Sequence, residues 1–165
     1  MTPERFDEFY GASVARLTGQ LYTLTGSLAE AQDVVQDAFV KAWLHRAELD
    51  RARSPEAWVR TVAWRLAISR FRRTKTGARA WSRADVRHVD PPGEPTDPAL
   101  LAALRALPED QRYAVVMFHL VDRSVQEIAD EVACPVGTIK ARLSRGRAAL
   151  AASLKNTALA EEHHG

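Results

Sequence analysis

Residues 124–150 have the sequence SVQEIADEVACPVGTIKARLSRGRAAL, and this stretch decides the fold of the second half of the chain. Ser124 and Glu127 form an S-x-x-E capping box, which is typical of the start of a helix. Pro135 interrupts that helix, and helical spacing of apolar residues resumes directly after it. Ala129 is small where two helices must cross closely. The stretch therefore predicts a helix-turn-helix.

The second helix of this motif has two contrasting faces. Apolar or small residues follow the inner face at helical spacing: Ile139, Leu143, Gly146 and Leu150. The opposite strip holds only small residues: Gly137, Ala141, Ser144 and Ala148. Polar and cationic residues flank that strip: Thr138, Lys140, Arg142, Arg145 and Arg147. A small strip lets a helix backbone approach the floor of a DNA groove, while the flanking cations reach phosphates and base edges. A helical hairpin with a solvated basic face is the alternative.

Charge is distributed unevenly along the 165 residues, whose formal net charge is +2. Residues 60–87 hold nine Lys and Arg against one Asp, and residues 138–165 hold five Lys and Arg against two Glu. The segments 1–59 and 88–137 are net acidic. Two basic blocks predict two separate contacts with an anionic partner such as nucleic acid. Two solvated helical faces are the alternative.

Helical patterns also fill the first half of the chain. Apolar residues at helical spacing predict a first helix that ends at Gly26. Ser27, with Glu30 three residues later, predicts the start of a second helix. A third helix is predicted to begin after Ser54, because Pro55 is tolerated in a first turn and needs no amide partner there.

The composition changes at VDPPGEPTDP, residues 89–98, which contains four prolines and no apolar periodicity. Because proline lacks an amide donor and fixes its own φ, this segment is predicted to be an extended linker. Helical spacing resumes beyond it and is broken at Pro108 into two helices. The predicted fold is all-α, with two small helical domains joined by a Pro-rich linker.

The sequence shows no features of a disulfide-rich, membrane, secreted or metal-binding protein, or of an enzyme. The single cysteine, Cys134, leaves no internal disulfide framework and is expected to be a buried structural thiol. No apolar run approaches the roughly 20 residues of a membrane span, and the N-terminus lacks the order of a signal peptide, so we expect a cytoplasmic protein. Only His163 and His164 are adjacent among the five histidines, so no metal or other cofactor is expected. No active-site motif is present, which argues against an enzyme.

Three separated stretches together resemble the extracytoplasmic-function (ECF) sigma factors of bacterial RNA polymerase. They are LTGSLAEAQDVVQDAFVKAW at 24–43, SPEAWVRTVAWRLAISRFRR at 54–73, and the segment 103–150 that ends in the helix-turn-helix. The resemblance covers roughly residues 5–155 and is closest to the actinobacterial forms. It implies a sigma domain 2 at 1–76, a flexible linker at 77–97, a sigma domain 4 at 98–157 and a frayed tail at 158–165.

The resemblance implies that the polar face of the second helix binds the beta-prime clamp helices of core RNA polymerase. By the family's motif, the contact is made by Asp33, Gln36 and Asp37, and Phe39 and Trp43 support it from the core. Taken without the resemblance, the two carboxylates fit ordinary surface charge better.

The resemblance assigns the third helix to the non-template strand of the −10 promoter element. Melted DNA needs cations along its backbone and aromatic faces for unstacked bases. The assigned residues are Arg60, Trp64, Arg65, Arg70, Arg72 and Arg73. Trp58 is expected in the core, and Trp64 suits the core equally well. Arg65 and Ser69 stand where the family often has Asn and Asp, which puts the −10 sequence preference in question.

The resemblance assigns the helix-turn-helix to the −35 element. The residues expected to contact DNA there are Thr138, Lys140, Arg142, Ser144, Arg145 and Arg147. Ala133 stands where such motifs commonly have glycine, which predicts a slightly different turn. The implied partners are core RNA polymerase (including its beta flap), promoter DNA and an anti-sigma factor, without membrane insertion.

The function implied is a transcription initiation factor that directs core polymerase to −35 and −10 elements. The main alternative is a stand-alone helix-turn-helix regulator, whose N-terminal domain senses a ligand or dimerises. A helical adaptor that binds only protein is a further alternative. Binding to core polymerase separates the first hypothesis from both of the others.

Overall fold

The computed structural model describes residues 1–75 and 97–164, and every regular element in these two ranges is an α-helix. The helices form two compact units whose boundary falls between Lys75 and Asp97. We call them the N-terminal unit (residues 1–75) and the C-terminal unit (residues 97–164). The predicted all-α fold with two small helical domains is confirmed. The predicted linker lies outside the described residues, except for Asp97.

The N-terminal unit contains four helices: α1 (Pro3–Thr25), α2 (Leu28–Leu44), α3 (Arg46–Arg51) and α4 (Pro55–Lys75). Three of them match the predicted helices, whereas the short α3 has too few residues to show a periodic pattern. Helices α1, α2 and α4 pack against one another and enclose the core of this unit.

The capping residues of these helices occur where the sequence predicts them. Gly26 adopts the left-handed conformation with φ 73°, which glycine reaches without a steric penalty, and its amide donates to the Tyr22 carbonyl. The Ser27 hydroxyl accepts from the Glu30 amide at 3.2 Å. The Ser54 hydroxyl accepts from the Ala57 amide at 3.1 Å. These caps satisfy amides that have no partner within their own helix.

The core of the N-terminal unit combines an aliphatic centre with an aromatic cluster. Fully buried aliphatic side chains come from all three long helices, among them Leu17, Leu21, Val34, Val35 and Val59. The aromatic cluster joins α1 to α2, and its ring centroids lie 4.9 Å apart for Tyr10 and Phe39 and 5.2 Å apart for Phe6 and Trp43. Edge-to-face packing of this kind fixes the two helices against each other. Phe39 and Trp43, expected to lie toward the core, therefore mark the face of α2 that packs against α1.

The C-terminal unit contains four further helices: α5 (Pro98–Arg105), α6 (Glu109–His119), α7 (Val125–Val132) and α8 (Val136–His164). The predicted break at Pro108 separates α5 from α6. Asp97, predicted to belong to the linker, instead caps α5, because its carboxylate accepts from the Ala99 amide at 3.0 Å. The Arg112 guanidinium donates to the Leu104 and Leu107 carbonyls at the end of α5. The sequence pattern does not predict this second cap.

Helices α7 and α8 form the predicted helix-turn-helix. Both bonds of the capping box are present, from the Glu127 amide to the Ser124 hydroxyl and from the Ser124 amide to the Glu127 carboxylate, each at 3.0 Å. Ala133 ends α7 in the left-handed conformation at φ 55° and ψ 48°. The expectation of a buried thiol is wrong for Cys134, which is only half-buried and donates to the Val132 carbonyl at 3.7 Å.

The last helix is longer than predicted. Helix α8 continues through His164, so residues 158–164 are helical, whereas the sequence predicts a frayed tail from residue 158. The physical reason is that alanine, leucine and glutamate favour a helix and no Gly or Pro interrupts the stretch before Gly165. Leu159 in this extension is nevertheless 47% exposed, so core packing does not account for it.

Candidate functional site

The first half of α8 presents a polar and small face to solvent. Ile139 and Leu143 are buried at 0% and 2% exposure and hold the helix against the rest of the C-terminal unit. On the opposite side, Gly137, Ser144 and Ala148 are exposed, and Ala141 is half-buried. The predicted small strip therefore lies on the outer surface of the helix-turn-helix.

Lys140 and Arg145 flank this strip and are the most available cations of the predicted set. Both side chains are exposed, and neither forms an ion pair with any residue in the described parts of the chain. Ser144 is exposed beside them, and Thr138 is half-buried. These side chains are free to meet an anionic ligand.

Arg142 and Arg147 have partners on α6. The Arg142 Nε lies 3.4 Å from a carboxylate oxygen of Asp110. The Arg147 Nε donates to the His119 Nε2 at 2.8 Å, and its guanidinium lies 5.2 Å from the centroid of the Phe118 ring. Both arginines therefore help to join α8 to α6, a role that the face pattern does not predict.

His119 is the acceptor in one of these contacts. Partial desolvation, followed by the neighbouring Arg147 guanidinium, lowers the pKa of His119 below its ordinary value of 6.5. Both causes favour the neutral imidazole, and only the neutral form can accept the hydrogen bond from Arg147.

Arg60, predicted to contact DNA, lies in the core of the N-terminal unit. Its side chain is 1% exposed, and its guanidinium donates to the Gln20 side chain of α1 at 3.2 Å. Trp64 is 7% exposed and also belongs to the core. Both residues lie on the buried side of α4, the helix that packs against α1 and α2. A contact with DNA would require either side chain to leave the core.

Other residues of α4 do reach the surface. Arg65, Arg72 and Arg73 are exposed, and Phe71 is 47% exposed. Arg65 also borders an open groove of about 290 Å³ that is formed with α2 and α3. Trp58, expected in the core, is half-buried and lines this groove together with Lys41 and Val62.

Of the remaining predicted residues, Arg70 of α4 and the two aspartates of α2 are brought into contact, whereas Gln36 of α2 contacts α1. The Arg70 guanidinium pairs with the carboxylates of both Asp33 and Asp37 through separate nitrogens. The Gln36 amide donates to the Tyr10 hydroxyl at 2.8 Å. Arg70 is predicted to contact DNA and the two aspartates to contact polymerase, so this ion-pair triad joins residues of two different predicted surfaces.

Val40 and Leu44 extend the exposed face of α2 and are not among the predicted functional residues. They are 60% and 68% exposed, which is unusual for large aliphatic side chains. Val40 follows Asp33 by seven residues and Asp37 by three, and Leu44 follows Asp37 by seven, which places all four on one side of the helix. This spacing is the one feature of the sequence that could have identified Val40 and Leu44 as part of the same surface. Apolar residues on a helix are, however, normally assigned to the core.

The described residues contain neither a cluster of metal-ligand side chains nor a helix that could span a membrane. In residues 1–75 and 97–164, no three His, Cys, Asp or Glu side chains are grouped as metal ligands would be. Among the helices described there, none combines the length and the apolar character needed to cross a membrane.

Comparison with protein families gives a match for each unit. Residues 9–76 match Sigma-70 region 2, and residues 98–150 match Sigma-70 region 4. The two matches occur in the order of the N-terminal and C-terminal units and together cover most of the chain.

Individual relatives agree with these matches. The ECF RNA polymerase sigma factor SigW of Bacillus subtilis (strain 168) is 28% identical over 151 residues, covering 82% of this chain and 81% of the relative. The ECF RNA polymerase sigma factor SigK of Mycolicibacterium vanbaalenii is 27% identical over 157 residues, covering 89% of this chain and 80% of the relative. These relatives come from different bacterial groups, so the actinobacterial type stays a prediction.

Solved structures share the same fold. The sigma factor RpoE of Bartonella quintana, solved in complex with the anti-sigma factor NepR, has a TM-score of 0.74 and 25% identity, over 92% of this chain and 98% of that chain. CnrH, solved in complex with the cytosolic domain of CnrY, has a TM-score of 0.64 and 24% identity, over 94% of this chain and 90% of that chain.

Proposed function

The chain belongs to the ECF sigma factors of bacterial RNA polymerase, and we propose that it binds core polymerase through α2 and promoter DNA through α4 and α8. It is a non-enzymatic transcription initiation factor. The observation that carries the proposal is that each family match coincides with a helical unit that presents exposed arginine or lysine side chains. We assign sigma domain 2 to 1–76, the linker to 77–97 and sigma domain 4 to 98–157.

The C-terminal unit binds the −35 element with the outer face of α8. Lys140, Ser144 and Arg145 make the main contacts, because they are exposed beside the small strip. Thr138 lies at the edge of this face. Arg142 and Arg147 reach phosphate oxygens only from the α6 side, where their partners on α6 hold them.

The N-terminal unit binds the separated strand of the −10 element with α4 and the groove beside it. Exposed arginines, Arg65, Arg72 and Arg73, follow the strand's phosphates. The Trp58 side chain in the groove wall offers an aromatic face to an unstacked base. Arg60 and Trp64 support this surface from the core and do not belong to it.

Core polymerase binds the exposed side of α2. Asp33, Gln36 and Asp37 provide polar contacts to the beta-prime clamp helices, and Val40 and Leu44 provide the apolar contact next to them. An exposed apolar pair beside carboxylates is the composition expected of a protein interface. The beta flap is the expected partner of the C-terminal unit.

We further propose a cytoplasmic location and regulation by an anti-sigma factor. A sigma factor acts where polymerase and DNA are. The RpoE structure was solved with an anti-sigma factor bound, and its fold matches this chain over nearly the full length of both. Co-purification from the native bacterium, followed by mass spectrometry, would identify the partner.

Core polymerase binding is the test of the proposed function. Purified chain mixed with bacterial core polymerase should co-elute with it on size exclusion and start transcription from genomic DNA at defined positions. The stand-alone regulator predicts tight duplex binding by the free chain as a dimer and no co-elution. The protein-only adaptor predicts no defined start sites even if co-elution occurs.

A further inference from the structure

Arg70 joins two surfaces that must face different partners. It lies on α4, among the cations proposed to follow the DNA strand, yet its guanidinium contacts Asp33 and Asp37 on α2. The two aspartates are one helical turn apart, so one planar guanidinium reaches both carboxylates with different nitrogens. In this triad, the charge of one proposed DNA-binding residue is neutralised by two proposed polymerase-binding residues.

The triad is open to solvent on its carboxylate side. The side chains of Asp33 and Asp37 are 47% and 49% exposed, whereas that of Arg70 is 25% exposed. Ion pairs exposed to this degree are screened by salt and are weak enough to exchange with a competing ligand. A cation from a partner protein therefore has access to the carboxylates without unfolding α2 or α4.

We propose that the triad is an internal competitor for both macromolecular ligands, and that polymerase binding releases Arg70 to bind DNA. The inference rests on the proposed function of α2. Cations of the polymerase take the place of Arg70 at the two aspartates, and the freed guanidinium turns to a phosphate of the separated strand. Since coupling between two binding sites is reciprocal, DNA bound by Arg70 also leaves the aspartates free for polymerase.

The first experiment measures the affinity of the full chain for core polymerase by fluorescence anisotropy. Arg70→Ala removes the competitor and should tighten binding about three- to tenfold, the range expected from losing a weak ion-pair network. Arg70→Lys, which cannot bridge both carboxylates as a planar fork, should fall between the wild type and alanine. Arg5→Ala removes an exposed cation of the N-terminal unit that has no proposed role in binding, and should leave polymerase affinity unchanged.

The second experiment uses no polymerase. The double variant Asp33→Asn with Asp37→Asn should bind a short labelled single strand of DNA about three- to tenfold more tightly than the wild type, because Arg70 is released. The matched control is Asp7→Asn with Glu8→Gln, which removes two exposed negative charges elsewhere in the N-terminal unit. Adding Arg70→Ala to the double aspartate variant should reduce its DNA affinity to that of the charge control, because Arg70 is no longer there to bind DNA.

Thermal unfolding by circular dichroism must show that every variant is folded before affinities are compared. Weaker or unchanged polymerase binding by folded Arg70→Ala overturns the proposal, as does a DNA gain no larger than that of the charge control. If the wild type does not bind polymerase at all, the proposed function fails. The DNA experiment then still decides whether the aspartates withhold Arg70 from DNA.

Discussion

Arg60 and Arg65 lie on the same helix and carry the same charge, but their surroundings differ completely. The Arg60 guanidinium is buried against Gln20 of α1, whereas Arg65 is exposed at the edge of the groove. Moving five positions along a helix rotates the side chain by about 140°, which is enough to change from the core face to the outer face. The roles of single arginines therefore follow from the direction in which each side chain points.

Arg60→Ala should lower the free energy of unfolding by about 2–4 kcal/mol, because it leaves a cavity and removes a donor to the half-buried Gln20 side chain. Urea denaturation followed by tryptophan fluorescence measures this change. Arg65→Ala is the matched control and should change stability by less than about 0.5 kcal/mol. Equal stability of the two variants would mean that Arg60 is not a core residue.

Ala133 has a backbone conformation that suits glycine better. A Cβ atom in the left-handed region costs roughly 1–2 kcal/mol, and part of this is offset because glycine loses more chain entropy on folding. Ala133→Gly should therefore stabilise the C-terminal unit by about 0.5–1 kcal/mol in thermal unfolding. Ala148→Gly, in the exposed middle of α8, should instead destabilise it by about 1 kcal/mol. A loss of stability in both variants would contradict the strained turn.

At the scale of elements, α8 is held against α6 by close packing and by two polar contacts. Gly146 lies at the crossing, and a Cβ atom added there would lie 2.7 Å from the Val115 Cγ2. Arg142 and Arg147 of α8 contact Asp110 and His119 of α6. The sequence pattern places Gly146 correctly on the inner face, but it does not show which helix the glycine approaches.

Gly146→Ala should destabilise the C-terminal unit by about 1–3 kcal/mol, because the added methyl group forces α6 and α8 apart. Gly137 provides the control on the same helix, since a Cβ atom added there meets nothing within 4 Å. Gly137→Ala should be neutral or slightly stabilising. Chemical denaturation of the two variants makes the comparison, and similar midpoints would show that the α6–α8 crossing tolerates extra volume.

At the scale of the whole molecule, the described parts of the two basic blocks, residues 60–75 and 138–164, lie in separate helical units. A net charge of +2 hides this organisation, because acidic residues elsewhere in the chain offset the basic blocks. Each unit keeps some of its cations exposed and ties others to carboxylates or to a histidine. The number of cations available to DNA is therefore smaller than the number in the sequence blocks.

Arg145→Ala should weaken binding of the polymerase complex to duplex DNA and reduce the dependence of log K on log salt by about 1, as expected for one lost phosphate contact. The duplex is one selected from a random pool by the wild-type complex. Lys155→Ala removes an exposed cation about three turns farther along α8 and should leave the slope unchanged. Equal slopes for all three proteins would place Arg145 outside the DNA contact.

The sequence by itself determined the local structure and the two basic blocks. Capping residues such as Gly26 and Ser124, together with the spacing of apolar residues, depend only on near neighbours in the chain, so the sequence alone is enough to recognise them. The tertiary structure alone decided which cations remain available. The partners of Arg60 and Arg70 lie 40 and 33–37 residues away in the chain, and helical periodicity contains no information about which helix will cover a given face.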